Sequence, residues 1–296
     1  MSFVLCSLTL SFTIGCGGEK LPQKAAGKIT VFTTIDPIAD LVSKIGGEFV
    51  DVQILVPSGR DPHLFEPSPK QMLSLSKASL FFTIGLPLEN TLKSKFNLNM
   101  SPKFNNIGKG VSKRVLAGHD HHHDHDHGHA SCSANDPHIW LGYKQVKVMV
   151  ANIASQLGLL LPKHADQLTI NLAAFLKELD LVHQEISISL KPFKGSSIVV
   201  FHPSFGYFTD TYGLKQKSIE FEGKAPTPKR FAELVRSINK EKTTVLFIQP
   251  QFTQDHGKSI AQSVGAEVGV LDSLAPDVLA NYREMAKNIS AALQIK

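Results

Sequence analysis

Seven of the 13 histidines in this 296-residue chain lie in one short acidic tract, HDHHHDHDHGH, between positions 119 and 129. The tract has no apolar periodicity, so we expect a solvated loop over residues 118–135. Imidazole and carboxylate groups at this density offer many alternative chelates, which predicts weak and rapidly exchanging metal binding. Two interpretations stay open: a metal trap or sensor beside a tighter site, or a tolerated low-complexity insert. The candidate accessory ligands are His119, His121, His122, His123, His125, His127 and His129.

Three histidines outside this tract form a second pattern. His63, His138 and His202 each stand next to a proline, and Asp-Pro-His occurs at the first two of them. Asp272 follows a predicted strand in the second half of the chain, as His202 does. Three imidazole nitrogens and one carboxylate oxygen are a ligand set that tetrahedral Zn2+ accepts. Any one of these histidines alone could be a structural residue, so the predicted metal site rests on the joint pattern.

Alternating strands and helices are expected to position these side chains. A β-branched run from Lys28 to Thr33 precedes an amphipathic segment, and the same alternation returns from Ser197 onwards. Strands that alternate with helices predict parallel sheets with helices on both faces. Ligands of such sheets bind beyond the carboxyl ends of the strands, where His202 and Asp272 are placed.

A long amphipathic segment separates the two alternating regions. Between Pro162 and Lys191 apolar residues recur at spacings of three and four, with no glycine and no further proline. The spacing predicts one rigid helix of roughly 45 Å. The predicted fold class is α/β, with two lobes, each a parallel-rich sheet with flanking helices, joined by this long rigid linking helix. The predicted organisation is an N-terminal α/β lobe over 28–161, the linking helix over 162–192 and a C-terminal α/β lobe over 193–296.

The composition limits the class of protein. With 42% hydrophobic residues, 19% charged residues and a mean hydropathy of -0.02, the chain is expected to fold into packed domains. Beyond the N-terminus there is no apolar run of about 18 residues, which excludes a polytopic membrane protein. The formal charge of +5 is spread thinly and forms no basic stripe, so no nucleic-acid partner is expected. Three cysteines are too few for a disulfide framework.

The N-terminal residues indicate export. The segment Phe3–Ile14 is apolar and has the length of a signal-peptide core, too short to span a bilayer. It runs into TIGC, and small residues before a cysteine resemble a bacterial lipobox, in which the cysteine is acylated. We therefore predict a lipoprotein signal peptide over 1–15, lipidation at Cys16 and a flexible tether over 16–27. The alternative is a buried N-terminal element with a chance cysteine.

Four segments, taken in order, carry a family resemblance: GRDPHLFEPSP, DPHIWL, FHPSFGYF and LDSL. They resemble the solute-binding proteins of zinc and manganese ABC transporters, and most closely those of high-affinity zinc uptake. The resemblance implies two α/β lobes, a rigid linking helix and a buried metal held by His63, His138, His202 and Asp272. The His-rich insert resembles that of zinc-uptake members, whereas manganese members usually have Glu where His202 stands.

The resemblance also implies a function. It is that of an extracytoplasmic, membrane-anchored lipoprotein at the periplasm or cell surface, which delivers Zn2+ to the ABC permease, acts as a monomer and catalyses no reaction. A manganese- or iron-binding member is the nearest alternative, and a zinc hydrolase or an adhesin is more distant. A hydrolase is disfavoured because no His-Glu-x-x-His motif and no clear general base are present. Two features depart from the family: Gln249 stands where Glu is expected, and the cysteine pair of some zinc members is absent.

Overall fold

The structure is a computed structural model, and it describes residues 27–96, 102–115, 135–220, 227–241, 244–252 and 254–295. The predicted signal peptide, the acylation site at Cys16 and the whole histidine tract lie outside these residues. An antiparallel bridge between Val115 and Asn135 joins the two chain ends that flank the tract. Within the described ranges, every helix is too short or too polar to cross a membrane.

The first lobe is built on a parallel sheet of four strands in the order β2-β1-β3-β4. Because the strands are parallel, their carboxyl ends meet at one edge, where loops can bring side chains together. Helices cover the sheet. The strands are β1 (Ile29–Thr33), β2 (Val50–Ile54), β3 (Leu80–Thr83) and β4 (Lys103–Asn106), and the helices are α1 (Asp36–Gly46), α2 (Pro69–Ser76), α3 (Pro87–Lys95) and α4 (Tyr143–Leu160).

The second lobe repeats this topology with strand order β6-β5-β7-β8, again all parallel. Its two central strands are buried at every position and read SIVV and VLFI, as expected for strands covered on both faces. The strands are β5 (Ser197–Val200), β6 (Lys215–Ser218), β7 (Val245–Ile248) and β8 (Glu267–Val270), and the helices are α6 (Gly206–Tyr212), α7 (Pro228–Glu241), α8 (Gln254–Ser263) and α9 (Val278–Gln294).

The linking helix α5 spans Ala165–Leu190, with one 3-10 turn at each end, Pro162–His164 and Lys191–Phe193. Its 26 residues correspond to about 39 Å. The predicted helix is confirmed, although its terminal turns are tighter than an α-helix. The helix packs against α1, α4 and α9. The apolar face predicted from the spacing is the buried face, and its fully buried members are Leu168, Phe175, Leu179, Val182, Ile186 and Leu190.

Buried hydrogen bonds join the two lobes directly. The indole Nε1 of Trp140 donates to the backbone oxygen of Ser273 at 2.7 Å, and the hydroxyl of Tyr282 donates to the backbone oxygen of Trp140 at 2.8 Å. Both rings are 1% exposed, so breaking either bond would leave a buried polar group unpaired, at a cost of about 1–3 kcal/mol. One hydrophobic cluster also continues through both lobes. The two lobes therefore share one hydrophobic core, and two buried hydrogen bonds hold them together at their junction.

The structure differs from the sequence prediction at one strand of the second lobe. A strand expected over residues 218–221 is found at Lys215–Ser218 instead, where the sequence KQKS is polar. Backbone bonds extend the pairing, from Ile219 N to Val200 O at 3.0 Å and from Glu220 N to Phe201 O at 2.9 Å. An edge strand tolerates polar residues, so its apolar pattern starts only near its end. The short elements α3, β4 and α6 were not predicted, because none carries a long enough apolar repeat.

Candidate metal centre

Three imidazole rings meet between the two sheets. One ring nitrogen from each of His63, His138 and His202 lies within 4.8 Å of the others. Their ring centroids are 5.2 to 5.9 Å apart. His63 lies in the loop after β2, His138 precedes the 3-10 turn Ile139–Leu141, and His202 follows β5. The first two come from the first lobe and the third from the second, so the cluster depends on how the lobes pack.

Asp136 fixes the ring of His138. Its Oδ1 accepts hydrogen bonds from the backbone N of His138 at 3.0 Å and from the ring Nδ1 at 2.7 Å. Burial opposes the negative charge of Asp136, but the bonds from His138 and Arg114 outweigh that effect and lower the pKa of the carboxyl. Because the ionised carboxylate can only accept, Nδ1 carries the hydrogen, and in the neutral form of the ring the lone pair is therefore on Nε2. This carboxylate–histidine pair is the arrangement that orients metal-binding imidazoles.

Glu220 orients the ring of His202, as Asp136 orients that of His138. Its Oε2 lies 3.0 Å from Nδ1 of the ring, and both residues are buried. The Nε2 of His202 is buried and has no hydrogen-bond partner among the described residues. The ring of Phe252 stacks on this imidazole with a centroid distance of 5.0 Å. A buried nitrogen lone pair beside two other imidazoles is the feature expected of a metal ligand.

Gln249 holds the backbone of His202 on both sides. Its Oε1 accepts from the backbone N at 3.2 Å, and its Nε2 donates to the backbone O at 2.6 Å. Gln249 is fully buried. The family resemblance leads us to expect Glu at this position. Because Gln249 is uncharged, it cannot form the ion pair that a Glu could form there. The carboxamide instead both donates and accepts, and so anchors the β5 end that carries His202.

His63 differs from its two neighbours because its side chain is exposed on one side. Its backbone N donates to Oδ1 of Asp61 at 2.8 Å, which fixes the loop. Within the described residues, its ring has no hydrogen bond to a carboxylate of the kind that His138 and His202 have. Lost hydration and then the nearby His202 lower the pKa of His63, although Asp61 and Glu220 oppose the shift. The imidazole therefore stays neutral to lower pH than an ordinary histidine, and a neutral imidazole is the form that binds metal.

Asp272 is not one of the three members of the histidine cluster and does not line the cavity in front of the rings, although the next two residues do. Its Oδ1 accepts from Nε2 of Gln251 at 2.6 Å and from the backbone N of Leu274 at 2.8 Å. Gln251 also lines the cavity in front of the three rings, and its Oε1 is buried without a partner among the described residues. Asp272 therefore stands behind Gln251, and its role as the fourth ligand stays a prediction.

The carboxylates and amides around the rings were missed by sequence reasoning. Asp136 was visible as part of Asp-Pro-His, but its role as the partner of that histidine was not. Glu220 and Gln251 follow β6 and β7 near the edge where ligands gather, which is the signal that could have found them. The bounds of β6 were predicted three residues late, so Glu220 was assigned to the strand interior.

Two α/β lobes with a common core, a long connecting helix and three imidazoles at their junction are the arrangement that the four sequence segments implied. The chain belongs to the ZnuA family, described as zinc-uptake complex component A, periplasmic, whose family model matches residues 31–294. This family membership agrees with the resemblance carried by the four sequence segments.

Individual relatives support the same assignment. The chain is 26% identical over 278 residues to the zinc-binding lipoprotein AdcA of Streptococcus pneumoniae serotype 4. The matched region covers 93% of this chain and 55% of that protein. It is 29% identical over 258 residues to the metal ABC transporter substrate-binding lipoprotein FimA of Streptococcus parasanguinis, covering 82% of this chain and 79% of the other. A crystal structure of ZnuA superposes with a TM-score of 0.81 at 35% identity, covering 90% of this chain and 99% of that one. The chain spans about half the length of the AdcA relatives that it matches.

Proposed function

We propose that this protein binds Zn2+ outside the cytoplasm and delivers it to the permease of an ABC importer. The observation that carries the proposal is the buried Nε2 of His202, which has no hydrogen-bond partner in the described part of the chain and lies beside the rings of His63 and His138. In two of the three rings Nδ1 is bound to a carboxylate, so Nε2 is the nitrogen left to bind a metal ion. Nitrogen donors of this kind suit zinc. The names of the relatives agree with zinc and with ABC transport.

We also propose that Asp272 supplies the fourth ligand when zinc is bound. Three imidazoles leave one position of a tetrahedral shell to be filled, and a carboxylate oxygen closes it. Gln251 supports this assignment because it lines the cavity and contacts Asp272 at the same time. A closed shell of four protein ligands favours storage and delivery of the ion over hydrolysis, which needs an open position for water.

Elemental analysis of protein purified without added metal tests the proposal. We expect about one equivalent of tightly bound zinc in the unchanged protein. Alanine at His63, His138, His202 or Asp272 should weaken zinc binding in a competition titration, because each change removes one donor. His164→Ala is the matched control, since that ring stacks on Phe49 away from the cluster. Purified protein that holds no zinc and does not bind it on addition would contradict the function.

We propose that Cys16 carries the lipid anchor. The support is the TIGC sequence and the description of two relatives as lipoproteins. Cys16→Ser is expected to move the protein from the membrane fraction to the soluble fraction, because one thioether-linked anchor is removed. Cys132→Ser is the matched control and should leave the protein on the membrane. An unchanged protein that is soluble and retains Met1 would show that the anchor does not exist.

We propose that the His-rich tract is an accessory binder that the main site does not need. Deleting residues 118–133 is expected to leave one tight zinc site and to remove the weaker ones. The motive is the bridge between Val115 and Asn135, which joins the chain on either side of the deletion. Isothermal titration counts both classes of site, and a variant of equal length with serine at the seven histidines separates loss of ligands from loss of chain. The idea is wrong if the deletion abolishes the tight site.

A further inference from the structure

Arg114 lies at the junction of the two lobes and binds a carboxylate from each. Its Nη1 donates to Oδ2 of Asp136 at 2.9 Å, and its Nε donates to Oδ2 of Asp210 in α6 at 2.9 Å. Asp136 is fully buried, whereas Asp210 is exposed. The planar guanidinium therefore connects a buried carboxylate of the first lobe to a helix of the second.

Asp136 is the residue through which this contact reaches the histidine cluster. Its Oδ1 holds His138, while its Oδ2 is held by Arg114. Tyr207 completes the arrangement, because its hydroxyl accepts from the backbone N of Arg114 at 3.1 Å and donates to the backbone O of Asp136 at 3.0 Å. The orientation of the His138 ring thus depends on Asp136, and that of Asp136 depends on Arg114.

Gly206 leaves room for this guanidinium. It is the first residue of α6, and a Cβ at this position would overlap Arg114. The backbone itself does not require glycine, since Gly206 is not among the glycines with positive φ. The glycine of the FGYF segment is therefore explained by the side chain that passes over it, and the second lobe is shaped to admit Arg114.

We propose that Arg114 is a positioning residue that sets zinc affinity by fixing Asp136, and through it His138, against the second lobe. The inference rests on the proposed function and adds a residue whose side-chain hydrogen bonds, among the described residues, go to Asp136 and Asp210 and not to the four proposed ligands. Partners in the outer shell of metal-binding histidines typically change affinity by 10–100-fold. Arg114 acts one contact further out, so its removal is expected to cost about tenfold. A lysine presents a point charge and cannot reproduce the fork between two carboxylates.

Three variants test this inference by zinc competition titration. Arg114→Ala is expected to weaken zinc binding by about tenfold, because Asp136 loses its second partner. Gly206→Ala is expected to weaken it by a similar factor, because the added methyl group displaces the guanidinium. The double variant should be no weaker than either single one, since the methyl group has space once Arg114 is gone.

A matched control and a spectroscopic readout separate positioning from general stability. Arg283→Ala removes an exposed ion pair with Glu185 between α9 and α5, away from the site, and should leave zinc affinity unchanged. Cobalt bound in place of zinc reports ligand geometry through its visible absorption, which we expect to change in Arg114→Ala and Gly206→Ala. Thermal unfolding of the metal-free proteins shows whether each variant folds, and Gly206→Ala serves if Arg114→Ala does not.

The outcomes distinguish the inference from the function on which it rests. If the unchanged protein binds no zinc, the proposed function fails. If it binds zinc tightly and Arg114→Ala or Gly206→Ala matches it in affinity and cobalt spectrum, only the inference fails. Additive losses in the double variant, or an equal loss in Arg283→Ala, would also overturn it.

Discussion

Replacing His202 by Glu is expected to lower the ratio of zinc affinity to manganese affinity by at least about 100-fold. Exchanging even outer partners of a metal ligand changes affinity by 10–100-fold, and this substitution changes a proposed ligand itself. Imidazole nitrogen suits zinc, whereas manganese prefers shells rich in oxygen. The swap would leave two imidazoles and add a second carboxylate to the proposed set. Competition titration of both ions against the unchanged and substituted proteins measures the ratio.

Glu220 complicates this experiment in a way that the sequence did not reveal. Its Oε2 lies 3.0 Å from Nδ1 of His202, so a carboxylate at position 202 would face another carboxylate. Like charges at this distance disfavour joint ionisation. His202→Glu combined with Glu220→Gln removes the repulsion and is the variant in which the gain for manganese should be clearest. Glu220→Gln alone is the control, and an unchanged ratio in the combined variant would mean that His202 does not set the selectivity.

The proposed histidine ligands could be predicted from sequence because local signals mark them. Asp-Pro-His identifies His63 and His138, and the buried run SIVV ends just before His202. The edge of a parallel sheet is one place, so residues that follow its strands are expected to meet there. The structure brings all three rings together. Asp272 satisfied the same rule, yet its carboxylate accepts a hydrogen bond from Gln251. A position at the end of a strand therefore predicts where in the fold a residue lies, but not which group it contacts.

Two of the contacts around the site have no local sequence signal because they are set by packing between distant segments. Glu220 reaches His202 across 18 positions, and Arg114 reaches Asp210 across 96. Neither contact has a sequence spacing that periodicity can detect. The family resemblance raised a doubt about Gln249, and only the geometry shows that its carboxamide forms two hydrogen bonds to the backbone of His202.

The fold shows the same division between periodic and non-periodic signals. The linking helix was predicted because one apolar face continues for seven turns. The sequence also predicts a helix over residues 143–160, and α4 has these bounds. The strand β6 was predicted three residues late because its four residues are polar. The helix α6 was not predicted because its seven residues carry no apolar repeat. Their positions follow from the neighbouring β5 and from the interface with Arg114. The domain boundaries drawn from sequence stay a prediction, although each sheet falls within one predicted lobe.

Zinc affinity is expected to fall by at least about 100-fold between about pH 7 and about pH 5. An ordinary histidine has a pKa near 6.5, and a protonated imidazole cannot bind a metal. Below its pKa, each histidine ligand therefore costs about tenfold in affinity for every pH unit, and the losses multiply across the site. Competition with a chelator of known pH dependence measures the fall.

His63 gives this pH dependence a specific shape. Lost hydration, followed by the charge of His202, lowers its pKa, so the charged form is disfavoured and protonation begins below the usual range. A lowered histidine pKa preserves the metal-binding form as the pH falls, so the contribution of His63 should be lost at a lower pH than that of an ordinary histidine. In His63→Ala, binding is weaker at neutral pH, but the slope at the acidic end should be shallower than in the unchanged protein. His164→Ala, outside the site, should reproduce the unchanged curve. A flat profile from about pH 7 to about pH 5 in the unchanged protein would mean that imidazoles do not hold the ion.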